Sequence, residues 1–206
     1  MKIVRQLLSA AMALGIASAV WAQPYPNRPV RVIVPFGAGS GSDVGIRVLA
    51  EFLSRTSGQN FLVENRPGAG GNLGLAVGAK AAPDGYTLVT GGLGSNVLNQ
   101  FLYTPEQMGF DPVKDFEPIS LMAKLPLMIA VSPSFAPNTV PELVAAIKAR
   151  PGAINVAFTA TAARLVVELF SKTTGASLFP VAYKSGAQAL TDVMSGLVAV
   201  NVDTIV

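Results

Sequence analysis

The sequence contains no cysteine and no histidine. Without cysteine the chain forms no disulfide and carries neither a thiol nucleophile nor a lipid-modified cysteine tether. Without histidine, a Ser-His-Asp triad and a zinc site of the usual kind are also excluded. No serine has glycine on both sides at two-residue offsets, so the nucleophile elbow is absent. Carboxylate or Ser-Lys catalysis stays open without a supporting motif, and we expect no enzyme, no metal site and no cofactor.

Charged residues are scarce as well, at 13% of the chain against about 25% in average globular proteins. The net charge is only +3, and Lys2 and Arg5 belong to the first segment, so the remainder is nearly neutral. Lysine and arginine form no cluster and do not alternate with aromatic residues. We therefore expect no nucleic-acid partner.

The first 22 residues have the pattern of a secretory signal peptide. A short cationic segment precedes an apolar run at 7–20, and the small residues Val20 and Ala22 stand where a signal peptidase reads. The run is shorter than the roughly 20 residues that span a bilayer. We expect cleavage after Ala22 and export to a bacterial periplasm.

The first hundred residues alternate between strand and helix patterns. A β-branched run at 30–36 predicts a buried strand. In the following segment, Val44, Val48 and Phe52 recur at helical spacing, with Leu49 and Leu53 beside them. They predict a helix with one broad buried apolar face, which stops at Gly58. Another strand, helix and strand are predicted at 60–64, 73–82 and 86–91. This β-α-β-α-β order implies a parallel sheet in an α/β fold.

An irregular, proline-containing connection at 104–118 leads to a second series of strands and helices. Its first helix is predicted to begin at a capping box of Thr139 and Glu142 and to bury Leu143, Val144 and Ile147. We place a first lobe at 23–122 and a second lobe at 123–206. Strands of the second lobe are predicted at 125–133, 154–158, 178–183 and 197–203.

Two glycine-rich turns each join a predicted strand to a predicted helix. The first is Gly-Ala-Gly-Ser-Gly-Ser at 37–42, and the second spans 66–72. Glycine lets backbone N–H groups approach an anion at a helix N-terminus, where the helix dipole contributes about half a positive charge. Either turn alone is explained by tight packing, but the pair favours a small anion held between them. Asp43 complements the helix dipole in any case.

A dinucleotide site is the alternative interpretation. The first turn follows a strand, and Glu64 ends the next strand about 20 residues later. The G-x-G-x-x-G pattern fails, however, because Ser42 or Val44 stands where its last glycine is required. A phosphate-binding P-loop would need a lysine that this loop lacks. The lobe of a dinucleotide- or phosphate-binding enzyme stays open as a second hypothesis.

Several spaced motifs resemble the Bug family, the extracytoplasmic receptors of tripartite tricarboxylate transport systems. The similarity extends over 25–203. Its motifs are YPNRPVRVIVPFGAGSGSD, VENRPGAGGNLG, AAPDGYTLV, FDPVKDFEPIS, LPLMIAV, KARPGAIN, VAYKSGAQALTDVMSG and VNVD.

The resemblance implies a two-lobed periplasmic-binding-protein fold of the type II, Venus-flytrap kind. It implies a monomer that captures a small carboxylate, such as a tricarboxylic or dicarboxylic acid, an acidic amino acid or an aromatic acid. Integral membrane transporter subunits are the implied partners. The residues that match the family's ligand-binding positions, or that the helix-terminus argument selects, are Phe36, Ala38, Gly39, Ser40, Gly41, Ser42, Asp43, Gly70, Thr159, Thr161 and Asp203.

The sequence departs from the family pattern at three places. Before the second-lobe helix it has FTATAARL, without the usual glycine and histidine, so Thr159 and Thr161 are the remaining hydroxyl donors. Ser185 follows Tyr183 and Lys184 where relatives have glycine, and relatives continue beyond Val206. We therefore expect the C-terminal return segment to be lacking, the last strand to have an unpaired edge and apolar surface to be exposed. A non-binding or sensory relic is the third hypothesis.

Overall fold

The computed structural model describes residues 24–204, so the predicted signal peptide lies outside the described residues. Within them the strands form two sheets, a three-stranded sheet of order β2-β1-β3 and a four-stranded sheet of order β4-β7-β5-β6. We call the elements around the three-stranded sheet the first lobe and those around the four-stranded sheet the second lobe. The boundary between 122 and 123 stays a prediction. Among residues 24–204, no helix is both long and apolar enough to cross a membrane.

The first lobe has the predicted β-α-β-α-β order. Its sheet is entirely parallel, and Val32 of the central strand lies between Val63 and Leu88. The prediction of a parallel sheet is therefore confirmed. The elements are β1 (Val30–Val34), α1 (Gly41–Ser57), β2 (Phe61–Asn65), a 3₁₀ turn (Ala69–Gly71), α2 (Asn72–Ala79) and β3 (Thr87–Val89).

The predicted buried face of α1 is wrong for Val44, Val48 and Phe52, whereas Leu49 packs against the core of the first lobe. Val48 and Phe52 are 67% and 56% exposed, whereas Ile46 and Ala50 are buried. The reason lies at the N-terminus of the helix, where the carboxylate of Asp43 is buried against the end of β2. This anchor places residues 43, 46 and 50 on the sheet side and turns the more apolar stripe outward.

A connecting segment leads from the first sheet to the second. It contains a π-helical turn (Leu93–Leu98), a 3₁₀ turn (Asn99–Phe101) and the short helix α3 (Pro105–Met108). Met108 and Phe110 pack with Leu75 of α2. At least as far as Phe116, the segment therefore packs with the first lobe. The predicted irregular connection is interrupted only by α3.

The second lobe also follows the predicted order. Its elements are β4 (Leu127–Val131), α4 (Val140–Ala149), β5 (Asn155–Phe158), α5 (Thr161–Thr174), β6 (Phe179–Ala182), α6 (Gly186–Met194) and β7 (Val200–Thr204). The core forms between β5, β7 and the helices α4 and α5, with Leu143, Ile147 and Val167 fully or nearly buried. Strand β5 is parallel to β6 and β7, and β4 is antiparallel to β7.

Helix α4 begins at the predicted residue, with Thr139 as its N-cap. The Thr139 hydroxyl accepts a hydrogen bond from the backbone N–H of Glu142 at 3.4 Å. The Glu142 carboxylate accepts from the backbone N–H of Asn138 at 2.8 Å, one residue before the position that a capping box requires. The reciprocal bond is thus displaced by one residue, and the helix start is unchanged.

The expectation of an unpaired edge at the last strand is wrong. Strand β7 lies inside the sheet, where Val200 is in register with Val131 on one side and Val156 on the other. The crossing segment enters the second lobe as β4 and covers that edge. Exposed apolar residues occur elsewhere, for example Val113, Ile119 and Leu121 in the connecting segment.

Candidate ligand-binding site

A cavity of about 350 Å³ lies between the two lobes. Its walls are the segments that follow β1, β5 and β6, together with the second glycine-rich turn. Ligands of open α/β sheets bind outside the carboxyl ends of the strands, where loops from neighbouring strands meet. The two glycine-rich turns, predicted to share one anion, therefore face the same cavity.

Three long helices begin at the wall of this cavity. Ser40 is the N-cap of α1, Thr161 is the first residue of α5, and Gly186 is the first residue of α6. At α5 and α6 the N-cap residues make no side-chain cap bond to the helix. Helix N-termini present unpaired N–H groups and a partial positive charge. The cavity thus receives anion-stabilising termini from both lobes.

Charged side chains add to the positive electrostatic potential that the helix N-termini create in the cavity. Arg164 and Lys184 line the cavity, and within residues 24–204 no acidic side chain does. The Arg164 guanidinium Nε lies 3.8 Å from the Glu168 carboxylate, in a pair whose side chains are both more than half exposed. Such a loose exposed pair contributes little, so Arg164 can turn to an anion in the cavity.

The Asp43 carboxylate points away from the cavity into the loop that precedes α1. It accepts hydrogen bonds from the backbone N–H of Gly39 at 2.9 Å, from Asn65 Nδ2 at 2.8 Å and from Arg47 Nε at 3.0 Å. Burial disfavours the charged form of Asp43, but the Arg47, Gly39 and Asn65 hydrogen bonds outweigh it and lower its pKa. Asp43 therefore fixes the conformation of the first glycine-rich turn through these hydrogen bonds and does not contact the cavity.

A stability measurement in acid tests this role of Asp43. Because the folded pKa is depressed, the charged carboxylate stabilises the fold above its unfolded pKa of about 3.9, and that stabilisation is lost as the pH falls through the folded pKa. We expect Asp43→Asn to lower the urea midpoint at neutral pH. The loss of midpoint between pH 7 and pH 3 should be smaller than in the wild type. An equal loss in both proteins would contradict the role.

Among the other residues of the first turn, some line the cavity and others do not. Ser40 lines the cavity, and its Oγ accepts from the backbone N–H of Asp43 at 3.3 Å, which leaves the hydroxyl proton for a ligand. Gly39 has φ +78°, a conformation that favours glycine. Phe36 covers the floor of the cavity next to Gly37.

On the second lobe, the predicted hydroxyl donors already have protein acceptors. Thr159 Oγ1 donates to Asp203 Oδ2 at 3.1 Å, so Asp203 lies behind the wall that Thr159 forms. Thr161 Oγ1 donates to Asn99 Oδ1 of the first lobe at 2.6 Å. The Tyr183 ring lines the cavity while its hydroxyl donates to Asp192, which raises the pKa of Tyr183. Free hydroxyl donors on this side are therefore few.

Of the eleven residues predicted from sequence, five line the cavity and six do not. Those at the cavity are Phe36, Ser40, Gly70, Thr159 and Thr161. The others are Ala38, Gly39, Gly41, Ser42, Asp43 and Asp203. Their roles toward a ligand stay predictions.

Sequence reasoning missed Arg164 and left Lys184 out of the site. A signal for Arg164 was available, because it stands in the first turn of α5, where a cation is opposed by the helix dipole. At such a position a basic residue is unfavourable for the helix alone, and a bound anion would offset that cost. Lys184 carries no comparable signal, since a lysine after a strand is ordinary.

This chain matches known proteins over most of its length. The family described as tripartite tricarboxylate transporter family receptor matches residues 46–206. BugT of Bordetella pertussis is 37% identical over 92% of this chain and 58% of its own length. A UPF0065 protein of Agrobacterium vitis is 34% identical over 95% of this chain and 56% of its own. The chain belongs to the tripartite tricarboxylate transporter receptor family, and it spans less than two thirds of these relatives' length.

Solved structures agree with the two-lobed architecture. R. palustris Rpa4515 with adipate superposes with a TM-score of 0.84 at 33% identity, over 88% of this chain and 60% of that one. The periplasmic binding protein BugD gives a TM-score of 0.81 at 34% identity, over 87% and 60%. MatC from Rhodopseudomonas palustris with bound malate gives 0.80 at 28% identity, over 87% and 61%. The predicted periplasmic-binding-protein fold is confirmed.

Proposed function

We propose that this protein is a periplasmic receptor that captures a small dicarboxylate and delivers it to integral membrane transporter subunits. One observation carries the proposal: a cavity with no acidic side chain among its described lining residues receives helix N-termini from both lobes and two cations from the second lobe. The family is one of transporter receptors. Adipate and malate, bound by two similar proteins, are both dicarboxylates.

One carboxylate of the ligand would bind to the first lobe. The Ser40 hydroxyl and the backbone N–H groups of the first glycine-rich turn offer donors without a competing negative charge, since the Asp43 carboxylate is engaged behind the turn. Charge-assisted bonds to backbone N–H groups at a helix N-terminus suit a carboxylate. The second glycine-rich turn, at Gly70, lines the same side of the cavity.

The second carboxylate would bind to the second lobe. Arg164 and Lys184 supply positive charge there, and the N-termini of α5 and α6 add their dipoles. Arg164 can present two parallel N–H donors to a carboxylate. Between the two anchoring regions, Phe36, Leu102 and Phe158 provide apolar wall for a short hydrocarbon chain.

We infer binding and release without catalysis. The cavity has no carboxylate among its described lining residues to act as a base, and Tyr183 directs its hydroxyl proton to Asp192. Membership of a family of transporter receptors disfavours the dinucleotide hypothesis. Both glycine-rich turns line one cavity, whereas a dinucleotide site requires only one such turn.

Thermal melts of the purified protein test the proposal against its competitors. A ligand at 100 times its dissociation constant adds about 2.7 kcal/mol when only the folded state binds it. For a domain of this size the midpoint should rise by about 5–10 °C with adipate or malate. NAD and inorganic phosphate should leave it unchanged. A response to NAD alone would support an enzyme lobe, and no response to any compound would support a non-binding relic.

A further inference from the structure

The two lobes contact each other through three glycines of the first lobe. A Cβ atom added at Gly37 would lie 2.5 Å from the Lys184 carbonyl oxygen, and one at Gly94 would lie 2.9 Å from the Ala162 nitrogen. At Gly70 it would lie 2.8 Å from Thr161 Oγ1. Real Cβ atoms do not approach other atoms this closely. The lobes can therefore meet in this arrangement only because these positions have no side chain.

A buried hydrogen bond crosses the same contact. Thr161 Oγ1 of the second lobe donates to Asn99 Oδ1 of the first at 2.6 Å, and Asn99 is fully buried. Asn99 Nδ2 in turn donates to Asn72 Oδ1 at 2.6 Å and to the Gly70 carbonyl at 3.1 Å. Asn99 thus connects the start of α5 to the Gly70 wall of the cavity without lining the cavity itself.

The hydrogen-bond network of Asn72, Asn99 and Thr161 is less stabilising than apolar packing at the same place would be. Asn72 is 1% exposed, and its Nδ2 has no hydrogen-bond partner within residues 24–204. A buried amide N–H without an acceptor costs free energy, and a partly satisfied polar network is worse than apolar packing. The Asn99–Thr161 bond joins the two lobes, so it bears on how the lobes are held together rather than on the stability of either one.

We propose that Asn99 and Thr161 form a latch that holds the lobes closed over the cavity, and that Asn99 is a positioning residue for ligand binding. The latch sets the fraction of molecules in the closed arrangement. Apparent affinity is the intrinsic affinity multiplied by that fraction, so Asn99 tunes ligand affinity without contacting the ligand. The affinity part rests on the proposed function, whereas the closure part does not.

Two variants weaken the closed arrangement by different routes. Thr161→Val keeps the shape of the side chain and removes the donor to Asn99. Gly94→Ala adds a Cβ against Ala162, at a position that does not line the cavity and whose φ allows alanine. Gly92→Ala is the matched control, because a Cβ there meets nothing within 4 Å. Melting curves show whether each variant is folded.

The distance between the lobes is the direct measurement. The chain has no cysteine, so Glu51→Cys on α1 and Lys172→Cys on α5 give two unique sites for spin labels and a dipolar distance distribution. Without ligand, we expect a smaller fraction of molecules at the short, closed distance in Thr161→Val and Gly94→Ala than in the wild type and Gly92→Ala. Unchanged distributions in folded Thr161→Val and Gly94→Ala would overturn the latch.

Titration with adipate tests the coupling to affinity. Gly94→Ala should weaken adipate binding about fivefold, because its Cβ meets the Ala162 nitrogen and lowers the fraction of closed molecules, and Gly92→Ala should not. A shifted distance with unchanged affinity would overturn the positioning role of Asn99. If the wild type does not bind adipate, the proposed function fails, and the distance measurement still decides the latch.

Discussion

Replacing Arg164 with glutamate is expected to weaken adipate binding by about 30-fold, because the substitution puts a negative charge where the second carboxylate is proposed to lie. Arg164 lines the cavity on the second lobe, and its exposed pair with Glu168 is too loose to hold it. Calorimetric titration gives the dissociation constant. Hexanoate has the same chain length and a single carboxylate. Its affinity should fall less than about threefold in the same variant.

Arg55→Glu is the matched control for this charge reversal. Arg55 lies in the last turn of α1, is exposed and pairs with Glu51 at 3.6 Å, an i,i+4 pair like that of Arg164 with Glu168 but in the opposite order along the helix. It does not line the cavity. If both reversals weaken adipate binding equally, the effect is one of net charge, and the proposed role of Arg164 is wrong.

The largest expected effect on stability comes from the core of the second lobe. Ile147 of α4 is 0% exposed and packs in the cluster that includes Val156 and Val202. Ile147→Ala should lower the free energy of unfolding by about 2–5 kcal/mol, because it removes buried methylenes and leaves a cavity. The thermal midpoint should fall by about 5–15 °C.

Val140→Ala is the control on the same helix. Val140 is 63% exposed, so the substitution removes little buried surface, and alanine is the better helix former. Its midpoint should stay within about 2 °C of the wild type. A similar fall for both variants would show that α4 does not pack on the sheet as described.

Local sequence patterns predicted the order of the elements because each one has its own signal. The start of α4 follows from Thr139 and Glu142, and α5 and β7 follow from apolar periodicity over a few residues. The matching family motifs then identified the two-lobed architecture. Element type and order are thus properties of short segments, and here they agree with the tertiary structure.

The orientation of α1 could not be predicted from periodicity. The stripe of Val44, Val48 and Phe52 is more apolar than the buried one, yet the bonds of Asp43 to Gly39 and Asn65 turn it outward. Those partners lie on different elements. A buried, hydrogen-bonded carboxylate overrides the hydrophobic pattern here because leaving it unpaired would cost more than exposing valine.

The site was predictable in its location and less so in its side chains. Glycine-rich turns at strand ends indicated the first-lobe wall, including Ser40 and Gly70. Thr161 lies at the cavity, but its hydroxyl donates to Asn99, a residue 62 positions away in the sequence. A hydrogen bond over that separation has no local signature, and the same holds for the contact of Gly37 with the Lys184 carbonyl.

The central claim is that the cavity captures both ends of a small dicarboxylate. Calorimetric titration of the wild-type protein with adipate and with hexanoate tests it most directly, since the two compounds differ in one carboxylate. We expect adipate to bind at least about tenfold more tightly, because only adipate reaches Arg164 and Lys184 as well as the first glycine-rich turn. Equal affinities, or binding of neither compound, would contradict the claim.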